Sequence, residues 1–187
     1  MVGLNLELEA DFFARHELEP RSLDRYCVLG DIAARQLGVR LVSRHAQLPS
    51  DCLEQELEML CAELLEPLVK GVRAKSDGRA APWFRKAEEF LHAHYHEPIG
   101  LRHVAREVGV HPIHLARVFR RHHGRSVSEH LQALRLLEAA RLVLEGTSIA
   151  AAAQGAGFSD HAHLTRLFGR TFGFAPRILK STAREMP

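Results

Sequence analysis

Residues 101–124 recur about 48 positions further along, as residues 149–173, and this duplication restricts the chain to architectures carrying two copies of one helical unit. Leu101, Val104, Ala105, Gly109, Leu115, Phe119 and Gly124 correspond to Ile149, Ala152, Ala153, Gly157, Leu164, Phe168 and Gly173, with one residue gained inside the turn. Each copy reads as a short helix, a glycine-centred turn and a second helix rich in basic or polar side chains. Two such helix-turn-helix units in tandem, about 101–123 and 149–172, imply a DNA-binding protein.

In the first copy Leu101, Val104, Ala105 and Val108 repeat at helical spacing, so they form one apolar stripe. Gly109 then suits the sharp turn, because the residue past a helix C-terminus commonly needs a positive φ. Pro112 has φ already set for the first helical position, which makes His111 the expected N-cap and carries the second helix to about His122. Leu115, Val118 and Phe119 face inward on this reading. Ile113, Ala116, Arg117 and Arg120 occupy the opposite face, a row able to lie along a major groove.

The second copy follows the same logic, with Gly157 at the turn and Ser159 expected as the N-cap ahead of Asp160. Leu164, Leu167 and Phe168 point inward, while His161, Ala162, Thr165, Arg166 and Gly169 cover the other side with His163 at its margin. Fewer cations predict a weaker grip. Gly155, read as interior to the preceding uncharged helix, adds the expectation of a looser second half, since an interior glycine costs about 1 kcal/mol relative to alanine. Between the copies, Leu131, Leu134, Leu137 (or Leu136), Ala140, Val143 and Leu144 repeat at helical spacing and predict one connecting helix over about 126–145. Twenty residues at about 1.5 Å each give roughly 30 Å, close to the approximately 34 Å between successive major-groove faces on one side of B-DNA.

The strings LRHVAREVGVHPIHLARVFRRHHGRSVSEHLQALRLLEAARLVL and IAAAAQGAGFSDHAHLTRLFGRTFGFAPRILK resemble the DNA-binding domain of the AraC/XylS family of bacterial transcription regulators. GFSD, then LTRLF, then FGFAP is the most diagnostic run. The resemblance covers about Trp83 to Lys180 and implies a mainly α fold, with a seven-helix tandem helix-turn-helix domain over 82–187. It places base-facing positions on Ile113, Ala116 and Arg117 in the first unit and on His161, Ala162, His163 and Arg166 in the second. Arg120, Arg121, His122, Arg125 and Arg170 are left to phosphates. Double-stranded promoter DNA is the implied partner, with RNA polymerase a second. The chain departs from the family pattern at His163, Leu164, Gly169, Val127 and Leu179.

Charge is distributed as this assignment requires. Residues 83–187 hold 15 Lys and Arg against 9 Asp and Glu, a net of +6, whereas residues 1–82 hold 10 against 14, a net of −4. No basic leader and no apolar run approaching about 18 residues is present, so the sequence predicts a cytoplasmic, nucleoid-associated protein without a membrane span. Cys27, Cys52 and Cys61 make neither an even disulfide set nor a CxxC pattern, and reduced thiols are expected.

Enzyme chemistry finds no support. No nucleophile with a base, glycine-rich phosphate loop or paired carboxylates stands out, so neither catalysis nor a cofactor is expected. His92, His94 and His96 invite a metal reading, with His92 and His96 at i, i+4, but they end a helix starting near Pro82 whose stripe is Phe84, Ala87, Phe90 and Leu91. Imidazoles facing water or the helix dipole are expected there, and no metal. A histidine-metal protein and a helical protein-interaction module without DNA binding are the alternative functions.

Residues 1–81 say less. Leu4, Leu6 and Leu8 alternate with Asn5, Glu7 and Glu9 as in a half-buried strand, and helices are expected over about 21–37 and 50–72, the second bent or ended by Pro67. Leu53, Leu57, Leu60, Leu64 and Leu68 form a seam open to two readings, packing within the chain or pairing of two copies as a homodimer. An α-rich segment with one or two strands resembles the tail or remnant of a cupin-like sensor or dimerisation module. One strand cannot close a barrel, so the expectation is either a naturally short chain or one whose start lies inside a longer regulator. Residues 70–81 read as a linker.

Overall fold

A computed structural model describes residues 12–15, 32–45, 58–63 and 81–185, and the chain divides into two units, residues 1–73 and 74–187. In the first unit, α1 (Phe12–Arg15), α2 (Ile32–His45) and α3 (residues 58–63) bury Phe12, Leu41, Leu60 and Cys61 together, with Leu37 and Ala62 packed against them. Arg15 meets Glu58 at 2.8 Å and Arg40 meets Glu63 at 3.1 Å. Burial pushes the Cys61 thiol above its ordinary pKa, and the neighbouring Glu58 adds to the effect, so the thiol stays protonated and unreactive. The helix expected over 21–37 is described only from Ile32, where it runs on to His45. Leu60 packs inside its own unit; Leu53, Leu57, Leu64 and Leu68, Cys27 and Cys52, the strand expected over 4–9 and the linker before Ala81 lie outside the described residues. Among the described residues there is no strand.

The second unit holds seven helices among its described residues. They are α4 (Pro82–His94), α5 (Leu101–Glu107), α6 (Pro112–His123), α7 (Val127–Leu144), α8 (Ile149–Gly155), α9 (His161–Phe172) and α10 (Pro176–Glu185). Local chemistry sets their limits. Pro82 and Pro112 open α4 and α6 at the first helical positions. His111 caps α6, its Nδ1 accepting from the Ile113 N–H at 3.3 Å. Ser126 caps α7 in a reciprocal box: its hydroxyl oxygen accepts from the Glu129 N–H at 3.2 Å, and the Glu129 carboxylate accepts from the Ser126 N–H at 2.6 Å. Ser148 caps α8 with a single bond, its hydroxyl oxygen accepting from the Ala151 N–H.

Helix α7 is the connecting helix expected between the copies, and it is the centre of this unit. Val127, His130, Leu131, Ala133, Leu134, Leu136, Leu137, Ala139, Ala140 and Val143 are all buried, which takes in most of the helix circumference. A helix apolar on nearly every side must be covered on nearly every side, and α6, α8, α9 and α10 all pack against it. At each end a separate aromatic group completes the core. Phe84 and Phe119 lie 5.8 Å apart under the first helix-turn-helix, and Phe168, Phe172 and Phe174 gather under the second, with Leu164 and Leu179 fully buried beside them.

Two further expectations about the second repeat are corrected. Asp160, not Ser159, caps α9: its carboxylate accepts from the His163 N–H at 2.7 Å and from the Ser159 hydroxyl at 3.1 Å. A carboxylate is a stronger acceptor than a hydroxyl at the positive end of a helix, and Ser159 is left to support it. Gly155 is the last residue of α8 and not an interior one, and a Cβ there would stand 3.2 Å from Leu142 Cδ1. Close packing of α8 on α7 accounts for this glycine, so it gives no reason to expect a loose second half.

Candidate nucleic-acid interface

The exposed faces of α6 and α9 are built by the same local device. In each helix-turn-helix unit the first helix buries two small residues, Val104 and Ala105 or Ala152 and Ala153; α5 packs on α4 and α6, and α8 on α7 and α9. The chain then reverses through Gly109 at φ 69° or Gly157 at φ 79°. The second helix buries Leu115 and Phe119, or Leu164 and Phe168, all at 0% exposure, so everything on the opposite face is driven outward.

On α6 that outward face carries Ile113, Arg117, Arg120 and Arg121, all exposed, with Ala116 half-buried among them. Ile113 is 73% exposed, so its side chain is available at the surface of the most basic helix. On α9, His161, Ala162, Arg166 and Arg170 are exposed. His163 is half-buried, its ring edge-on to Phe158 at 5.4 Å. The Thr165 hydroxyl donates to the His161 carbonyl at 2.9 Å and so stays within its own helix.

The two histidines that end α6 do not behave alike. His122 is half-buried, its ring lying over Phe84 at a centroid distance of 4.5 Å, and Arg125 beyond it is also half-buried. His123 turns further inward, 4.5 Å from the Phe119 ring and 4.7 Å from the His130 ring, with Nε2 2.9 Å from Glu88 Oε1. His123 is half-buried at the base of α6. Of the histidines once weighed for a metal, His94 is bonded to the Glu97 carboxylate at 2.7 Å and His96 lies 3.7 Å from it, while the His92 ring faces His130 at 6.2 Å.

Two carboxylates stand beside the cationic faces and remain ionised. Hydrogen bonds from Ser126 hold Glu129 below the usual carboxylate range, helped by nearby Arg120 and Arg125. Asp160 is held down in the same way, first by the His163 N–H and then by Ser159 and Arg166. Both are helix caps, so their charge is used within the fold. Arg117, Arg120 and Arg121 on α6 and Arg166 and Arg170 on α9 are the exposed cations of the two faces.

A helix-turn-helix domain profile matches residues 104–181. Over those residues the chain carries a helix-turn-helix domain similar to AraC-type DNA-binding domains. Over 124 residues it is 32% identical to the HTH-type transcriptional regulator GlxA of Rhizobium meliloti strain 1021, covering 65% of this chain and 38% of that protein. Among solved structures, a transcriptional regulator with an AraC-type DNA-binding domain from Chromobacterium violaceum superposes with a TM-score of 0.53 at 26% identity. That match covers 57% of this chain and 96% of the other. The C-terminal domain of AraT, a response regulator from Geobacillus stearothermophilus, gives a TM-score of 0.53 at 25% identity, over 56% and 88% of the two chains. GlxA and the Chromobacterium violaceum protein are transcriptional regulators, and AraT is a response regulator. Among the described residues no helix is long and apolar enough to cross a membrane.

Proposed function

We propose that this protein is a sequence-specific transcriptional regulator whose α6 and α9 enter two adjacent major-groove segments of one duplex. One observation carries the reading: two exposed basic helix faces are mounted on a single buried helix, α7, whose 18 residues span about 27 Å. That span approaches the roughly 34 Å repeat of the groove on one side of B-DNA. Ile113, Ala116 and Arg117 in the first reader, and His161, Ala162, His163 and Arg166 in the second, are the base-contacting set. Arg120, Arg121, His122, Arg125 and Arg170 neutralise phosphates and fix the register. Residues 82–187 form the DNA-binding domain and residues 1–81 a sensor or dimerisation segment. At Leu60 the within-chain reading of the leucine seam is favoured, since that residue packs with Phe12 and Leu41. Promoter DNA in the cytoplasm, with RNA polymerase alongside, is the working context.

Selection from a random duplex library with the full chain tests this directly. The expected product is a consensus of two short blocks about 10 base pairs apart; a chain that enriches no sequence would refute the proposal. Arg117→Ala should lose about 1–3 kcal/mol at one base position and relax preference there, read by repeating the selection on the variant. Unchanged preference would remove Arg117 from the base-reading set. Arg121→Ala should weaken binding to all sequences alike and lower the slope of log K against log salt by about one. Titrations at several salt concentrations that return the parent slope would end its phosphate role.

A further inference from the structure

The loop between α4 and α5 meets both halves of the repeat at once. Arg135, near the middle of α7, donates from Nε to the Tyr95 carbonyl and from Nη2 to the Glu97 carbonyl, each at 2.6 Å. Between these two acceptors, His96 turns its main chain onto Gly157, the turn glycine of the second unit: a Cβ on Gly157 would stand 2.7 Å from His96 Cα and 2.8 Å from its carbonyl carbon. The equivalent glycine of the first unit, Gly109, has nothing within 4 Å of that position. This contact is therefore no property of the repeat. It runs one way, from the loop that leads into the first unit to the turn of the second.

Its position gives it leverage on both readers. Helix α5 starts at Leu101, four residues after Glu97, and α9 starts at His161, four residues after Gly157. A main-chain contact with no room for a methyl group transmits displacement in a way that a layer of flexible side chains cannot. The planar guanidinium suits two carbonyls presented side by side, whereas a lysine ammonium on the same stem would offer a point charge without the fork.

We propose that Arg135 is a positioning residue that sets the spacing between the two DNA blocks, by holding the Tyr95–Glu97 loop against Gly157 and so fixing the second reader's offset and rotation relative to the first. This rests on the two-reader interpretation above. Without the bracket α7 alone relates the readers, and small twists of an 18-residue helix move its far end. Inserting one base pair shifts the second block by about 3.4 Å along the axis and turns it by about 35°.

The test measures affinity of the full chain, Arg135→Lys and Arg135→Gln for the duplex selected by the parent, and for the same duplex with one base pair inserted or removed between the blocks. The parent should lose about tenfold or more on either change of spacing, comparable to a mismatched base pair. Arg135→Gln should lose about threefold or less, with Arg135→Lys between them, because only a residual hydrogen bond remains. A merely structural role would lower affinity for all three duplexes alike and leave their ratio at the parent value, which would overturn the proposal. So would a parent that tolerates both spacings, although two enriched blocks would still stand as evidence for the readers. Failure of the selection to enrich any sequence sinks the two-reader interpretation itself.

Discussion

Gly157→Ala is expected to destabilise the chain by at least about 2 kcal/mol more than Gly109→Ala, although the two glycines occupy matching places in the duplicated unit. Both sit in the left-handed region, at φ 79° and 69°. An L side chain there costs about 1–2 kcal/mol, and that is the whole expected cost at Gly109, whose missing Cβ points into open space. At Gly157 the added methyl group would meet His96 Cα and carbonyl carbon at 2.7 and 2.8 Å, and its carbonyl oxygen closer still. These are main-chain atoms, so no rotamer change relieves the overlap. Nor can the loop withdraw freely, because the carbonyls on either side of His96 are held by Arg135. Urea denaturation of the two variants against the parent reads the difference. Equal costs at the two sites would show that the close approach is relieved at no expense, and the bracket argued above would lose its rigid element.

The contrast between these glycines marks where sequence reasoning stops. Most of the DNA-binding unit was legible because its signals are local: Pro112 after His111, the turn glycines, and apolar residues at helical spacing. The duplication itself assigns Gly109 and Gly157 the same task and cannot reveal that one of them lies against a loop some 60 residues away. Arg135 reaches carbonyls 38 and 40 residues upstream, and no pattern around it announces such partners. Ser159 and Asp160 are both good N-caps in succession, so which of them caps depends on the backbone arriving extended at Asp160. Helical spacing marks α7 as a connecting helix but does not tell that helices from both halves cover it. His130 was findable: it falls on the row formed by Val127, Leu134 and Leu137, at spacings of three and four.

That buried histidine makes the chain sensitive to acid. His130 is 4% exposed, and both ring nitrogens lack a hydrogen-bond partner. Its surroundings offer little to a proton's charge: His123 from the end of α6, His92 from α4, and Arg125 ahead of α7, with Glu88 of α4 occupied near His123. Burial first, and then His123, His92 and Arg125, push the His130 pKa down from the ordinary 6.5 to about 3. The sign follows from linkage. Because the folded pKa lies below the unfolded one, the unfolded chain takes up the proton first, so stability is full above about pH 6.5 and falls as the pH drops towards 3. One proton corresponds to about 1.4 kcal/mol per pH unit, so lowering the pH from about 7 to about 5 should remove on the order of 2 kcal/mol through this residue alone. His130→Phe keeps a ring of similar size and deletes both orphaned nitrogens, which is close to neutral or stabilising near pH 7. Its decisive effect should be on the slope: denaturation midpoints of parent and variant should diverge as the pH is lowered, with the variant losing less. If the two chains lose stability in parallel across that range, His130 is not the group that titrates on unfolding.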